Sequence, residues 1–242
     1  MSVLEPQISV VVPVRNELGN IAVLVEEIET ALTPLGAFEI IYVNDGSTDG
    51  TAAEIDRLRA TRPYLRRIDH AQSCGQSAAV RTGVRAARAP ICATMDGDGQ
   101  NNPAFIPEMM AKLNADASIG LVQGQRVGRQ DTGFKKFQSK VANKVRGAIL
   151  KDGTRDTGCG LKCFRRDVYL ALPYFDALHR FMPALVVREG FTIGHVDVID
   201  RPRHAGVSNY GFFDRLWVGI VDLAGVRWLI SRRKRVPQAT EA

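Results

Sequence analysis

Ile91-Cys92-Ala93-Thr94-Met95-Asp96-Gly97-Asp98 runs from an apolar stretch straight into two carboxylates one residue apart. Ile91 to Met95 is short, continuous and apolar, which reads as a buried strand. The same pattern recurs upstream. Ile8-Ser9-Val10-Val11-Val12 is β-branched and stopped by Pro13; Phe38 to Val43 is closed by Asn44-Asp45-Gly46-Ser47-Thr48-Asp49-Gly50; Leu65 to Ile68 is a weaker run. Between them Ile21, Leu24, Val25, Ile28 and Leu32 recur at helical spacing, with Glu26, Glu27 and Glu29 off that face. Helical material also follows Gly50 to about Ala60, and an alanine-rich segment from Gly75 to Arg88 ends before Pro90. Strands alternating with helices at this spacing predict βαβ units: an α/β fold, one domain with a mainly parallel central sheet.

In such sheets ligands bind beyond the carboxyl ends of the strands. Three polar clusters fall there: Arg15-Asn16-Glu17, Asp45-Gly46-Ser47 and Asp96-Gly97-Asp98. Any one of them can be a turn that merely ends a strand. Three at one sheet edge point to a site. Like charges this close repel, so Asp96 and Asp98 call for a cation. Mg²⁺ or Mn²⁺ takes such oxygen ligands and commonly completes its shell with phosphate. Neither G-x-x-x-x-G-K-[ST] nor a G-x-G-x-x-G after the first strand occurs, which excludes a P-loop and argues against a dinucleotide dehydrogenase. A metal-bridged diphosphate is the simplest ligand.

Composition agrees with a globular protein. The 242 residues are 45% hydrophobic and 24% charged, enough for a sizeable core without a disulfide framework. Cys74, Cys92, Cys159 and Cys163 form no C-x-x-C pair and read as reduced, cytosolic thiols. The N-terminus lacks the basic start and long apolar run of a signal peptide, and no uninterrupted apolar stretch of about 18 residues occurs. From Arg201 onward eight Lys or Arg face three acids, so the tail carries +5 of the net +6. Something anionic is expected to meet that end. Charge alone would admit nucleic acid, but no binding motif supports it.

Val12-Pro13-Val14-Arg15-Asn16-Glu17, Val43-Asn44-Asp45-Gly46-Ser47-Thr48-Asp49-Gly50-Thr51 and Asp96-Gly97-Asp98-Gly99-Gln100 together resemble the signature of family 2 inverting glycosyltransferases. The closer resemblance is to the polyprenyl-phosphate branch, typified by dolichyl-phosphate mannose synthase. It continues through Asp156-Thr157-Gly158-Cys159-Gly160-Leu161-Lys162-Cys163-Phe164-Arg165-Arg166 to Arg203-His204-Ala205-Gly206-Val207-Ser208, covering about residues 7 to 210. The resemblance implies a GT-A-like domain over 1–210. It implies Pro13, Arg15 and Glu17 along the nucleoside of a UDP- or GDP-sugar, Asp45 at the base and Asp96 near ribose and sugar. Asp98 and Gln100 would hold Mg²⁺ or Mn²⁺, Arg126 and Arg203 would meet phosphate, and Ser208 would lie near the acceptor phosphate. Arg165, His179 and Arg180 are further acceptor-side candidates, each also readable as structural; His70 and His195 read as structural. The chain departs from the family at Asn44-Asp45 (usually Asp-Asp), at Gln72-Ser73-Cys74-Gly75 (often Arg-Asn-x-Gly) and at Asn209 (usually lysine). The first two bear on base preference and the third on phosphate contacts.

The segment 211–242 is apolar and basic. On a helical wheel Phe213, Leu216, Trp217, Ile220, Leu223, Ala224 and Trp228 share a face, Asp214, Arg215, Asp222 and Arg232 the other, with Arg227 on the apolar side. With Arg232-Arg233-Lys234-Arg235 behind it, this fits a helix lying on an anionic membrane. The alternative is a helix that closes the core. A lipid phosphate acceptor, already ionised near neutral pH, needs no general base. The resemblance, together with the basic tail, implies metal-assisted sugar transfer with inversion to a polyprenyl phosphate at the inner face of a membrane. The rivals are transfer to a saccharide hydroxyl, which needs a carboxylate base, and a non-catalytic binding module.

Overall fold

The computed structural model describes residues 5–127, 146–154, 156–201 and 212–232, the last of these only as backbone up to 218. Seven strands form one sheet: β1 (Ile8–Val14), β2 (Phe38–Asp45), β3 (Leu65–His70), β4 (Ile91–Thr94), β5 (Ile119–Arg126), β6 (Lys162–Arg165) and β7 (Thr192–Val198). Their order is β3-β2-β1-β4-β6-β5-β7. Only β6 runs antiparallel to its neighbours. The expected mainly parallel α/β domain is what forms.

Helices α1 (Leu18–Leu32), α2 (Thr51–Arg59), α3 (Gln76–Ala86), α4 (Ile106–Ala115), α5 (Arg166–Ala171), α6 (Leu178–Arg188) and α7 (Phe212–Ser231) flank the sheet. The β1 run divides by parity, as a pleated strand must. Val10, Val12 and Val14 pack with Ile21, Leu24 and Ile28 of α1, whereas Val11 packs with Val80 and Val84 of α3. A strand buried on both faces is continuously apolar for this reason. The helical spacing in α1 holds too: Ile21, Leu24, Val25, Ile28 and Leu32 are its buried apolar residues.

Pro13 does not stop β1; it pairs with Val43 of β2. Val11 directs its carbonyl to Met95 on the β4 side. Pro13, two residues on, turns to that same side, where β4 pairing ended at Val11↔Thr94. No ladder donor is needed there, so proline is tolerated.

From β1 the chain steps outward to β2 and β3, then returns to place β4 on the other flank of β1. The β1/β4 boundary is thus a topological switch point, the position where open α/β sheets bind ligands.

Candidate active site

Two cavities open at this boundary and share Pro13, Gln76 and Asp96. The smaller, about 250 Å³, is lined by Arg15, Glu17, Asp45 and Asp98 among others. The larger, about 550 Å³, reaches Thr157, Lys162, His179 and Arg180. The three polar clusters therefore converge as their position at strand ends predicted.

Local hydrogen bonds lock the clusters together. Asn16, in the left-handed region at φ 57°, accepts the Thr48 N–H at 2.8 Å and donates its own N–H to Ser47 Oγ at 3.0 Å. Asparagine tolerates that conformation better than most residues. Asp49 accepts from the N–H of Thr51 at 2.9 Å, and its other oxygen accepts from Leu18 at 3.4 Å, so one carboxylate ties together the first residues of α2 and α1. Glu17, just before α1, accepts from Asn20 Nδ2 at 2.6 Å.

Asp45 is buried and holds four donors: the Cys74 N–H at 2.8 Å, Gly75 N–H at 2.9 Å, Ser73 Oγ at 2.7 Å and His70 Nδ1 at 2.7 Å. Burial pushes its carboxyl up, but these hydrogen bonds outweigh burial and hold it below its ordinary range. The residue expected at the base thus also fastens the 72–75 loop to β2. Asp45, His70 and Cys74 are the one group of three metal-type ligands among the described residues. Both His70 nitrogens already meet Asp45 and Thr82, so the group is a hydrogen-bonded clip.

Asp96 accepts from Gln76 Nε2 at 2.7 Å. Burial first, then repulsion from Asp98, push its carboxyl above the ordinary range, against the pull of Lys162, Arg126 and the Gln76 bond. Two carboxylates in this conflict, beside a cavity with room for phosphate oxygens, suit a hard divalent cation. Gln100 donates its backbone N–H to Asp98 Oδ1 at 3.1 Å, but lines neither cavity.

Other expected contacts lie elsewhere. Arg126 grips Asp156 with two nitrogens, Nε at 2.6 Å and Nη2 at 2.8 Å, and meets Asp200 at 3.4 Å; it lines neither cavity. Arg165 is corrected outright. It pairs with Ile91, at the start of β4 and so at the opposite edge from the site, and donates to the carbonyls of Ile119, Leu113 and Asp116. His179 and Arg180 do line the larger cavity. Burial, then the charges of Lys162 and Arg180, drive the His179 imidazole down to about 3, so it is neutral at physiological pH; its Nδ1 meets Ser77 Oγ at 2.8 Å. Arg203 and Ser208 lie outside the described residues.

Lys162 is the residue the sequence reading missed. Its register partner is Thr94, at the end of β4, and it is 3% exposed in the wall of the larger cavity. Only the antiparallel direction of β6 separates it from Arg165, and apolar periodicity does not report direction.

The tail helix divides differently from its wheel. Val226 is buried in the core, with Leu223, Leu229 and Ile230 packed behind it, and Arg188 Nε donates to the Leu229 carbonyl at 3.1 Å. Ile220, Val221 and Trp228 are exposed at 51%, 67% and 60%. Leu223 thus leaves the face to which the wheel assigned it, because that side meets α6. The side chains of Phe213, Leu216 and Trp217 and residues 233–235 lie outside the described residues. Among the described residues no helix is long and apolar enough to cross a membrane.

Residues 9–172 match the family model of glycosyl transferase family 2. The chain is 35% identical over 234 residues to dodecaprenyl-phosphate galacturonate synthase of Rhizobium johnstonii, covering 95% of this chain and 69% of that protein. Among solved structures it is similar to a Pyrobaculum calidifontis mannosyltransferase in complex with GDP-Man and Mn²⁺ (TM-score 0.68, 21% identity, 98% of this chain and 67% of that one). It is also similar to glucosyl-3-phosphoglycerate synthase from Mycobacterium tuberculosis with Mn²⁺ and UDP (TM-score 0.66, 20% identity, 94% and 80%). Those two likenesses speak to the GT-A-like fold; the family match spans residues 9–172, which include the sheet-edge carboxylates. The chain is a glycosyltransferase and belongs to glycosyl transferase family 2.

Proposed function

We infer that the chain transfers one sugar from a UDP- or GDP-sugar to a polyprenyl phosphate, with inversion, at the anionic inner face of a membrane. The carrying observation is the pair of cavities joined at Asp96, one on the Asp45 and Asp98 side and one reaching Lys162 and Arg180. Pro13, Arg15 and Glu17 border the nucleoside, Asp45 the base end and Asp96 the start of the sugar. Asp98, with Asp96 beside it and Gln100 behind it, would hold Mg²⁺ or Mn²⁺, which when bound offsets charge on the leaving diphosphate. Residues 1–210 form the catalytic unit in this reading, and 211–242 the membrane-surface segment.

The acceptor class follows from what the larger cavity lacks. Among the described residues, Asp96 is the only carboxylate in its lining, and Asp96 is shared with the smaller cavity assigned to the nucleotide. A sugar hydroxyl would need a base of its own. An ionised phosphate does not; it needs placement opposite the leaving group and neutralising cations. Arg180 supplies one at the exposed rim; Arg203 and Ser208, outside the described residues, are proposed as further phosphate contacts from the family resemblance. The relative's name, a polyprenyl-phosphate sugar synthase, supports the same acceptor. A radiolabelled-donor assay offering polyprenyl phosphate and an oligosaccharide in parallel tests it: label in the lipid is expected, and label only in the oligosaccharide would overturn the reading.

A further inference from the structure

We propose that Lys162 binds a carboxylate on the transferred sugar, so that the donor is a nucleotide uronate. This rests on the sugar-transfer reading and deepens it. The Lys162 side-chain nitrogen lies in the wall of the larger cavity, 3% exposed, and donates to the Cys159 carbonyl. An ammonium carries three N–H donors. Among the described residues no acceptor takes the other two. Burying a charge with donors unused is costly unless a ligand completes it, and burial accordingly pulls the Lys162 pKa below its ordinary value.

The carboxylates near Lys162 are committed elsewhere. Asp156 is gripped by Arg126 through both oxygens, and Asp96 accepts from Gln76 next to the Asp98 pair. A neutral sugar would bring hydroxyls, each with a proton needing its own acceptor. A carboxylate brings acceptors only, and its hydrogen bonds to an ammonium are of the stronger, charge-assisted kind.

The acceptor phosphate is the other anion that could meet a cation here, and position separates the two. Arg180 is exposed at the cavity rim and lies within electrostatic reach of Asp222 on α7, the helix that also exposes Ile220, Val221 and Trp228. A lipid headgroup arriving from a membrane would meet Arg180 first. Lys162 is buried in the same cavity wall as Asp96, a residue both cavities share and the one that borders the sugar in this reading.

The test is calorimetric titration of the full chain with Mn²⁺ against two matched pairs, UDP-galacturonate with UDP-galactose and GDP-mannuronate with GDP-mannose. The uronate of one pair is expected to bind at least about 100-fold tighter than its hexose. Lys162→Met should bring the two within about fivefold of each other by weakening the uronate alone, and Lys162→Arg should keep most of the preference. Equal binding of uronate and hexose by the wild-type chain overturns the proposal while leaving sugar transfer standing, and it does so even if the variants fold poorly. Equal weakening of both donors in a folded Lys162→Met overturns it too. So does an unchanged donor profile with a raised KM for polyprenyl phosphate, which would assign Lys162 to the acceptor. Failure of every nucleotide sugar to bind or be transferred would instead bring down the underlying reading.

Discussion

Gly160 and Asp96 approach so closely that no side chain fits between them. A β-carbon on Gly160 would overlap Oδ2 of Asp96 and lie 2.8 Å from Oδ1 of Asn101, which in turn accepts the Asp96 N–H at 3.0 Å. Glycine here is a requirement of the carboxylate's position. Gly160→Ala should displace Asp96 and lower kcat/KM by about 100-fold, the order expected for a misplacement near 1 Å. Steady-state turnover checks this, with the melting temperature measured alongside. Wild-type turnover in a variant of normal stability would show that the tight approach is unimportant.

The first four strands and the convergence of three polar clusters were legible because they rest on local pattern: apolar runs ended by polar turns, with helical spacing between. Register and direction were not. Pro13 reads as a stop until β4 is known to end beside it, and Arg165 reads as an acceptor-side candidate until β6 is known to run backwards. Arg126 reads as a free cation until Asp156 and Asp200 fold against it. These depend on which residues lie opposite one another, and a single sequence carries little of that.

Asp45 makes a prediction about acid stability. Its carboxyl is held below the ordinary 3.8 in the folded chain, so its stabilising contribution is complete at neutral pH. That contribution is lost as pH falls below 3.8 and through the lower folded value. Asp45→Asn should cost about 1.5–3 kcal/mol at pH 7, the range for hydrogen bonds to a charged group. The gap to wild type should narrow toward pH 3. Urea unfolding across that range decides it; a gap independent of pH would sever the link to ionisation.

Metal removal should abolish transfer if Asp98 acts as proposed. EDTA is expected to stop the reaction and Mn²⁺ or Mg²⁺ to restore it. Asp98→Ala should reduce kcat by about 1000-fold, corresponding to roughly 4 kcal/mol of lost charge stabilisation. Full activity in EDTA would exclude this role.

His179 should be silent in the pH profile. With its imidazole at about 3, it stays uncharged from pH 5 to 8 and cannot serve as a phosphate cation. An NMR titration should show the ring neutral down to pH 5, and His179→Asn should leave the shape of the pH–rate curve unchanged. An inflection near 6.5 that vanishes in the variant would show instead that the ring is hydrated and titrating.

Helix α7 presents two apolar faces with different duties, and point substitutions can separate them where truncation cannot. Removing the helix would also strip the packing of Leu223 and Val226 from the core. Val226→Ser should therefore cost about 1–3 kcal/mol of stability, as buried substitutions do. Its effect on vesicle binding by the folded chain should be small. Ile220→Ser with Trp228→Ser changes residues that are 51% and 60% exposed, so stability should hardly move. If that face enters the headgroup region, the double variant should lose flotation with anionic vesicles. Each Lys or Arg of the 232–235 cluster adds about 1 kcal/mol of attraction near an anionic surface. Flotation by the wild-type chain should accordingly weaken as salt rises and the Debye length shrinks. Equal flotation of wild type and the double variant would show that the exposed stripe is not the membrane contact. Loss of flotation in Val226→Ser alone would assign the whole helix to closing the core.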